Sequence, residues 1–364
     1  MRSGSLSSLK PSATRLSAAA IIERLDRGRL LELGREADAV RQALHPEDVA
    51  TYVVDRNINY TNVCASQCRF CAFWRPLGHP EAYVLTREEL GRKVEEMLAL
   101  GGTQVLLQGG LHPELRLDFY TGLLRFLKQR YPIHLHCFSP PEIVHLARLE
   151  GLSVGECLRA LREAGLDSIP GGGAEVLSDE VRQRVSPRKC TKGEWLDVMR
   201  EAHRQGMRTT ATMVFGLGEE PRHLAEHLLA VRDLQEETGG FTAFIPWTFQ
   251  PGNTALAGTV RPLGGQAYLR VLAVSRVALD NIPNVQASWV TQGGKLAQVA
   301  LRFGANDLGS TMIEENVVRA AGVTFRLPRE EIVRLIEDAG FAARQRDCYY
   351  HYVGPAPRRS GGSG

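Results

Sequence analysis

The sequence predicts an α/β fold, a TIM-like (β/α) barrel with an N-terminal helical extension and a C-terminal helical segment. Short apolar segments of strand character alternate with amphipathic helical patterns between residues 56 and 310, in six or more units. Polar or glycine-rich residues follow the end of nearly every strand segment, where a barrel carries its active site. A length of 364 residues also suits one large barrel domain.

The predicted elements follow one another in a regular order. Strands are expected over residues 58–63, 104–107, 134–138, 166–169, 209–215, 241–248 and 285–291. Helices are expected over residues 86–100, 118–130, 153–164, 192–205 and 223–237, the first of them opened by a capping box of Thr86 and Glu89. A helical pattern over 16–44 precedes the barrel, and helices over 312–321 and 329–339 follow it. These patterns predict a disordered leader over 1–20, one barrel domain with its extensions over 21–353, and a disordered tail over 354–364.

Composition excludes several classes of protein. The net charge of +3 is too small for a nucleic-acid footprint, and no apolar run approaches the ~20 residues that cross a membrane. Seven cysteines, an odd number and mostly scattered, do not form a secreted disulfide framework. We therefore expect a reducing, cytoplasmic location.

Three of the cysteines are close together. Cys64, Cys68 and Cys71 have the spacing C-x3-C-x2-C directly after the first predicted barrel strand. A cluster that only transfers electrons normally takes four cysteines, and a structural zinc ion takes four ligands. Three thiols on one loop therefore predict a 4Fe-4S cluster with one open iron. A zinc knuckle completed by a distant histidine such as His79, or thiols that simply pack in the core, remain alternatives.

Other candidate binding residues follow later strands. Glycine allows the backbone to approach a ligand closely, and Glu175 could accept hydrogen bonds from ribose hydroxyls or an ammonium group. Plain strand-to-helix turns, or acids in a first helical turn, would explain the same residues structurally. The candidates are Gln108, Gly109, Gly110, Ser139, Glu142, Gly172, Gly173 and Glu175.

The cysteine spacing resembles the signature of the radical S-adenosylmethionine (SAM) superfamily. Longer stretches resemble one family within it, the cyclic dehypoxanthinyl futalosine synthases of menaquinone biosynthesis. They are DRNINYTNVC, CRFCAFWR, GGTQVLLQGGLHPEL, YPIHLHCFSPPEI, GLDSIPGGGAE, RTTATMVFG, TGGFTAFIPWTFQP and GANDLGSTMIEENVV. Aminofutalosine synthase and the radical SAM halves of FO synthase share the cluster loop and IPGGGAE. Residues 217–221 depart from the expected pattern, which leaves the role of that loop open.

This resemblance implies a mechanism and its cofactors. The family uses a 4Fe-4S cluster and SAM, and Phe70 would lie beside the adenine of SAM. The radical formed from SAM would abstract hydrogen from the ribose 4′ carbon of dehypoxanthine futalosine, and the carbon radical would add to the benzoate ring. A protein such as flavodoxin or ferredoxin would supply the electron; no nucleic acid or membrane partner is expected. The alternatives are aminofutalosine synthase, the FO synthase radical SAM subunit, or a zinc-stabilised binding protein.

Two roles in the expected reaction stay open on the sequence. The base for the final deprotonation could be His136, Glu142 or Asp307. The substrate carboxylate needs a cation, for which Arg75 and Lys295 are candidates. Aromatic walls would exclude water from the radical, and candidates for the walls are Phe73, Trp74, Phe244, Trp247, Phe249 and Trp289.

Overall fold

The computed structural model describes residues 15–354. Its helices are α1 (Ala18–Arg27), α2 (Leu30–Leu44), α3 (Arg87–Ala99), α4 (Leu117–Arg130), α5 (Pro140–Glu150), α6 (Val154–Glu163), α7 (Asp179–Val185), α8 (Lys192–Arg204), α9 (Pro221–Thr238), α10 (Gly265–Ala278), α11 (Trp289–Gln292), α12 (Gly294–Ala300), α13 (Val317–Ala320) and α14 (Arg329–Asp338). Its strands are β1 (Val49–Val53), β2 (Asp55–Asn59), β3 (Gln104–Gln108), β4 (His134–Cys137), β5 (Ser168–Ile169), β6 (Arg208–Phe215), β7 (Phe241–Thr248), β8 (Asn284–Val285), β9 (Asp307–Ser310) and β10 (Ala342–Gln345).

Seven strands form one parallel sheet in the order β2-β3-β4-β5-β6-β7-β8, which is also their order in the chain. Consecutive parallel strands require crossovers on one side, so the helices pack along the outer face and the sheet curls around an inner lumen. This arrangement confirms the predicted TIM-like α/β fold. Because all seven strands run the same way, their carboxyl ends meet at one rim.

A second sheet of three strands, in the order β10-β1-β9, was not predicted. It joins both edges of the large sheet: only Val54 separates β1 from β2, and Gln286, just after β8, pairs with Asp307 of β9. The small sheet therefore lies across the gap between β8 and β2. It brings the C-terminal part of the chain to the lumen.

Most predicted elements match the structure, and the differences have local causes. The predicted strand over 285–291 is wrong beyond Val285, because the chain turns into helix α11. The predicted helix over 312–321 is reduced to α13, which starts where the Glu315 carboxylate accepts hydrogen bonds from three following backbone N–H groups. The pattern over 16–44 is two helices, separated at Gly28. The prediction also omitted α5, α7, α10 and α12.

The ends of the chain bear on the predicted domain boundaries. Helix α1 begins at Ala18, within the expected leader, and the Ser17 side chain caps it. Residues 1–14 and 355–364, the rest of the expected leader and almost all of the expected tail, lie outside the described residues. Between residues 15 and 354 no helix has the length and apolar character needed to cross a membrane.

Candidate active site

A cavity of about 250 Å³ opens at the rim of the barrel. We call it the thiol cavity, because the three closely spaced cysteines are in its wall. Strands β3, β4 and β5 deliver polar and glycine-rich residues to the same wall from their carboxyl ends. Every predicted metal and cofactor residue lines it, namely Cys64, Cys68, Phe70, Cys71, Gln108, Gly109, Gly110, Ser139, Gly172, Gly173 and Glu175.

The cysteine loop is fixed by its own backbone. After β2, the N–H of Cys64 donates to the Arg75 carbonyl (3.0 Å), and the N–H of Ala65 donates to the Leu111 carbonyl (2.8 Å). Within the loop, the N–H of Cys71 donates to the Cys68 carbonyl (3.2 Å). Arg75, a candidate for the substrate carboxylate, instead donates to Glu81 (2.7 Å) and to loop carbonyls. Its role is therefore to hold the loop.

The three thiols suit the corners of an iron-sulfur cluster better than one zinc ion. Thiolates on a tetrahedral zinc ion lie about 3.8 Å apart, given zinc–sulfur bonds of about 2.3 Å. Among the residues that the structure describes, the ligand atoms of His134, His136 and Cys348 all lie within 4.8 Å of one another. The thiols of the three loop cysteines do not form such a group. His79 uses its Nδ1 to accept from the Glu81 N–H (3.1 Å). The donor geometry thus argues against the zinc-knuckle alternative.

Burial keeps free thiols neutral in this wall. It raises the pKa of Cys68 to about 11, although the nearby Lys189 ammonium acts in the opposite direction. Burial also raises the pKa of Cys71. Because metal ligation requires the thiolate, a positive metal centre must supply the stabilisation that the protein does not, and binding releases protons.

A buried ion-pair triad faces the thiols. Glu175 accepts from Lys189 (2.7 Å) and from Arg182 (3.2 Å), and all three side chains are almost fully buried. Burial lowers the pKa of Lys189, but Glu175 and Cys68 more than offset this and raise it, so the side chain stays cationic. The ammonium lies 5.3 Å from the centre of the Phe70 ring. Sequence reasoning missed Lys189, because nothing in the run around it marks it as facing the loop.

Glu142 connects two predicted segments of the wall. It is the N3 acid of a capping box at the start of α5, accepting from the Ser139 N–H (2.7 Å) and hydroxyl (2.6 Å). Its other oxygen accepts from Tyr60 (2.8 Å) and from the Gly109 N–H (3.0 Å). Burial raises the pKa of Glu142, although these donors act in the opposite direction. The carboxyl group therefore holds the turn after β3 against the start of α5.

The glycines are required by close packing of the protein on itself. A Cβ on Gly110 would lie 2.1 Å from the Val63 carbonyl oxygen, and a Cβ on Gly173, where φ is +75°, would lie 2.3 Å from Pro141. From the sequence, glycine was expected where the backbone approaches a ligand closely. The structure shows that the neighbouring chain already leaves no room for a side chain at these two positions; both glycines line the cavity, and contact with a ligand stays a prediction.

A second cavity of about 130 Å³ lies inside the curl of the sheet. We call it the lumen cavity; it shares Gln108, Gly172 and Trp247 with the thiol cavity, so the two are adjacent. Its polar lining residues include Asp55, Gln104, His136, Thr210, Thr212, Gln286, Ser310, Arg346 and Tyr350.

His136 lies in the lumen wall within a short hydrogen-bonded chain. Its Nδ1 is 2.6 Å from the Ser168 hydroxyl, which is 2.7 Å from Nε2 of the half-buried His134. The Cys348 thiol is 3.5 Å from the same hydroxyl, so hydrogen bonds already account for this group of donors. Burial, with smaller contributions from His134 and Arg346, lowers the pKa of His136 to about 3. The imidazole is therefore neutral at pH 7.

The remaining candidates are dispersed. Asp307 lines neither cavity; it is fully buried in the small sheet and is paired with Arg346 at 2.5 Å. Lys295, the other candidate for the substrate carboxylate, is exposed and lines neither cavity. Of the six candidate wall aromatics, Phe73, Trp74, Trp247 and Phe249 line the thiol cavity and Trp247 and Trp289 the lumen cavity, while Phe244 lies in the core.

Comparisons with known proteins agree with this geometry. Residues 58–231 match the model of the radical SAM superfamily, and residues 238–358 match that of the CofH/MqnC C-terminal region. The cyclic dehypoxanthine futalosine synthase of Halalkalibacterium halodurans is 47% identical, over 93% of this chain and 92% of its own. The 5-amino-6-(D-ribitylamino)uracil–L-tyrosine 4-hydroxyphenyl transferase of Methanopyrus kandleri is 46% identical, over 88% of each chain. The crystal structure of methylornithine synthase superposes with a TM-score of 0.72 at 18% identity, covering 91% of this chain and 95% of its own.

Proposed function

The chain belongs to the radical SAM superfamily, enzymes that use a 4Fe-4S cluster and SAM, and on this premise we propose that it cyclises dehypoxanthine futalosine in menaquinone biosynthesis. The observation that carries the proposal is the polar lumen cavity adjacent to the thiol cavity, beside the similarity to a cyclic dehypoxanthine futalosine synthase along nearly the whole chain. One cavity suits the cofactors and the other a polar substrate held next to them.

The proposed reaction forms a carbon–carbon bond within the substrate. When bound, the reduced cluster and SAM supply a 5′-deoxyadenosyl radical. The ribose 4′ carbon gives up a hydrogen atom to that radical and bonds to the benzoate ring. The ring then loses a proton to a base and one electron, which balances the electron spent in cleaving SAM, so SAM is the net oxidant and the product is cyclic dehypoxanthinyl futalosine. The protein must hold the correct hydrogen closest to the radical and exclude water from it.

In this proposal the wall of the thiol cavity holds the cofactors. Cys64, Cys68 and Cys71 ligate three irons, and the partly exposed Cys64 and Cys71 leave that side accessible to a ferredoxin or flavodoxin donor. The remaining wall residues contact SAM, with Phe70 beside the adenine and backbone groups of the turn after β3 beside the methionine part. The Lys189–Glu175 pair presents a cation and an acceptor at the same place. Residues in contact with SAM are Phe70, Gln108, Gly109, Gly110, Ser139, Gly172, Gly173 and Glu175.

Of the three candidate bases, we propose His136. It lines the lumen cavity, and in the tautomer whose Nδ1–H donates to Ser168 its Nε2 accepts the proton. Its lowered pKa makes it a weak base, which suffices because a ring that has lost an electron is strongly acidic. Ser168 and His134 continue the hydrogen bonds toward the outside. Glu142 already accepts four hydrogen bonds, and Asp307 is paired with Arg346, so these two carboxyl groups position their neighbours instead.

Product analysis tests the proposal. Reconstituted, reduced enzyme is incubated without oxygen with SAM and dehypoxanthine futalosine. We expect free 5′-deoxyadenosine and the cyclised product in equal amounts. Adenosyl incorporated into the product of an enolpyruvyl benzoate would instead establish aminofutalosine synthase activity.

The second candidate function is transfer of the tyrosine side chain to 5-amino-6-(D-ribitylamino)uracil, because relatives with that name are up to 46% identical. The same enzyme is supplied with SAM, L-tyrosine and 5-amino-6-(D-ribitylamino)uracil. A coupled product in this assay, with none from dehypoxanthine futalosine, would replace the cyclase proposal.

A further inference from the structure

The wall of the lumen cavity includes a hydrogen-bond donor that has no acceptor in the protein. The Trp247 indole N–H is buried and has no partner among the described residues, and the Tyr350 hydroxyl is buried beside the Asp307 carboxylate. Both residues line this cavity. A buried donor without an acceptor costs about 1–3 kcal/mol, so such a donor in a cavity wall indicates a ligand that carries acceptor atoms.

Arg346 adds a cation to the same wall. Its Nε donates to Asp307 (2.5 Å) and its Nη1 to the Asp347 carbonyl (3.1 Å), whereas no described residue accepts from Nη2. The guanidinium carbon lies 4.0 Å from the centre of the Tyr350 ring, which fixes its plane. Nε and Nη1 are therefore held by the protein, and Nη2 is the nitrogen left for a ligand in the cavity that Arg346 lines.

We propose that Arg346, with Tyr350 and Trp247, binds the carboxylate of the substrate's benzoate ring in the lumen cavity. This inference rests on the proposed function, since it takes the substrate from there. It assigns the cation that Arg75 and Lys295 do not provide. A guanidinium group carries several N–H donors, so it can bridge an internal carboxylate and a ligand carboxylate.

The charges around the cavity are compatible with an anion. Asp307 is neutralised by Arg346. Burial raises the pKa of Asp55, although Ser310 and Gln104 hydrogen bonds partly oppose this, so a second negative charge in the wall is disfavoured. His136 is neutral. The Arg346 pKa is raised by Asp307 and Tyr350 in spite of burial, so its charge persists.

The placement also suits the reaction. The lumen cavity meets the thiol cavity at Gln108, Gly172 and Trp247, so a substrate anchored by its acid at Arg346 extends its ribose toward the thiols. Arg346, Tyr350 and Trp247 all lie within residues 238–358, beyond the part that matches the superfamily as a whole. A subsite for one particular substrate is expected in that more specialised region.

The experiment compares dehypoxanthine futalosine with its methyl ester, whose acid is neutral. With wild-type enzyme we expect KM for the ester to be on the order of 10- to 100-fold higher than for the acid, because a charged hydrogen bond is lost. Arg346→Lys should raise KM for the acid about tenfold and bring the two KM values close together, with kcat little changed. Tyr350→Phe removes only the hydroxyl group, so no unpaired donor remains in the wall, and it should raise KM for the acid on the order of 3- to 10-fold.

Two matched controls come from the same segment. Arg344→Lys alters a guanidinium group that stacks on Tyr352 at 4.7 Å, and Tyr352→Phe alters an exposed hydroxyl; neither residue lines the lumen cavity. Both should leave the acid-to-ester ratio unchanged. An unaltered ratio in Arg346→Lys would overturn the anchor while the cyclase function stands.

A binding measurement separates failure of the anchor from failure of the proposed function. Benzoate and its neutral isostere benzamide are titrated into the reconstituted enzyme, with tryptophan fluorescence as the signal. We expect benzoate to bind the wild type about tenfold more tightly than it binds Arg346→Lys, and benzamide to bind both alike. If dehypoxanthine futalosine is not cyclised but this difference is found, the function fails and the anchor holds; equal benzoate binding overturns the anchor.

Discussion

Replacing Glu142 by Gln tests whether this carboxyl group supports the wall of the thiol cavity. Glu142 accepts from the Ser139 N–H and hydroxyl with one oxygen and from Tyr60 and the Gly109 N–H with the other. An amide has one oxygen, so its NH2 group must face either the Ser139 N–H or the Gly109 N–H. In each orientation one buried backbone donor loses its acceptor.

The magnitude follows from these contacts. One buried N–H without an acceptor costs about 1–3 kcal/mol, and the loss of charge assistance in the remaining bonds brings the expected destabilisation to roughly 2–4 kcal/mol. Glu89→Gln is the matched control, because Glu89 has the same N3 position in the capping box of Thr86 but is only partly buried, at the protein surface. There the amide can turn to solvent, and we expect a loss of about 0.5 kcal/mol.

The assay is the urea midpoint of unfolding together with the rate of 5′-deoxyadenosine formation. We expect Glu142→Gln to lower both, since Gly109 is part of the cavity wall. Glu89→Gln should leave the rate unchanged. Equal midpoints for the two variants would refute the conclusion that Glu142 is held by four donors in a buried site.

Three further results are expected. Replacing any one of the three loop cysteines by Ala should abolish 5′-deoxyadenosine formation and lower the iron content, whereas Cys157→Ala, in a buried core position, should retain both; SAM cleavage in a loop variant would refute the ligand set. Lys189→Met should slow SAM cleavage about tenfold, because Glu175 loses its nearer partner, while Lys192→Met, a surface change, should not. Burial lowers the pKa of the buried His227 to about 3, so the unfolded chain takes up this proton first. The contribution of His227 to stability is complete above about pH 6.5 and declines below it by about 1.4 kcal/mol per pH unit; His136 and His203, whose pKa burial also lowers, add to the decline of the whole protein. His227→Asn, which can still accept from the Leu177 N–H, should make that decline smaller in urea unfolding at pH 7.5 and 4.5; an unchanged decline would contradict the assignment.

The sequence was informative where a pattern is local. Helix caps, such as the box of Thr86 and Glu89, lie within four residues of each other, and the structure has both of its hydrogen bonds. Strand edges were less certain, because pairing decides them: the alternation over 285–291 suggested a strand, yet only Asn284–Val285 finds a partner in β7. No helix was predicted over α5, although the two prolines at its start suit the first turn of a helix, where the missing N–H groups are not needed.

The candidate site divides in the same way. The thiols and the glycine-rich turns occupy one wall, as expected from the rule that parallel strands end at one rim. The sequence ranked His136, Glu142 and Asp307 together as possible bases, and only their surroundings separate them: a lumen wall, a buried cap and an ion pair. Arg346 was not a candidate, because it is at least 275 residues from the cysteines in the chain.

The amino-acid order by itself determined the α/β barrel class, the capped helices and the three thiols with an open fourth position, since each depends on spacing within a few residues. Only the tertiary structure decided that a small sheet carries the C-terminal segment to the lumen and that Lys189 faces Cys68. It also decided that Arg346 pairs with Asp307 and lines the lumen cavity. The physical reason is that burial and ion pairing depend on which distant segments meet, and no local pattern records that meeting.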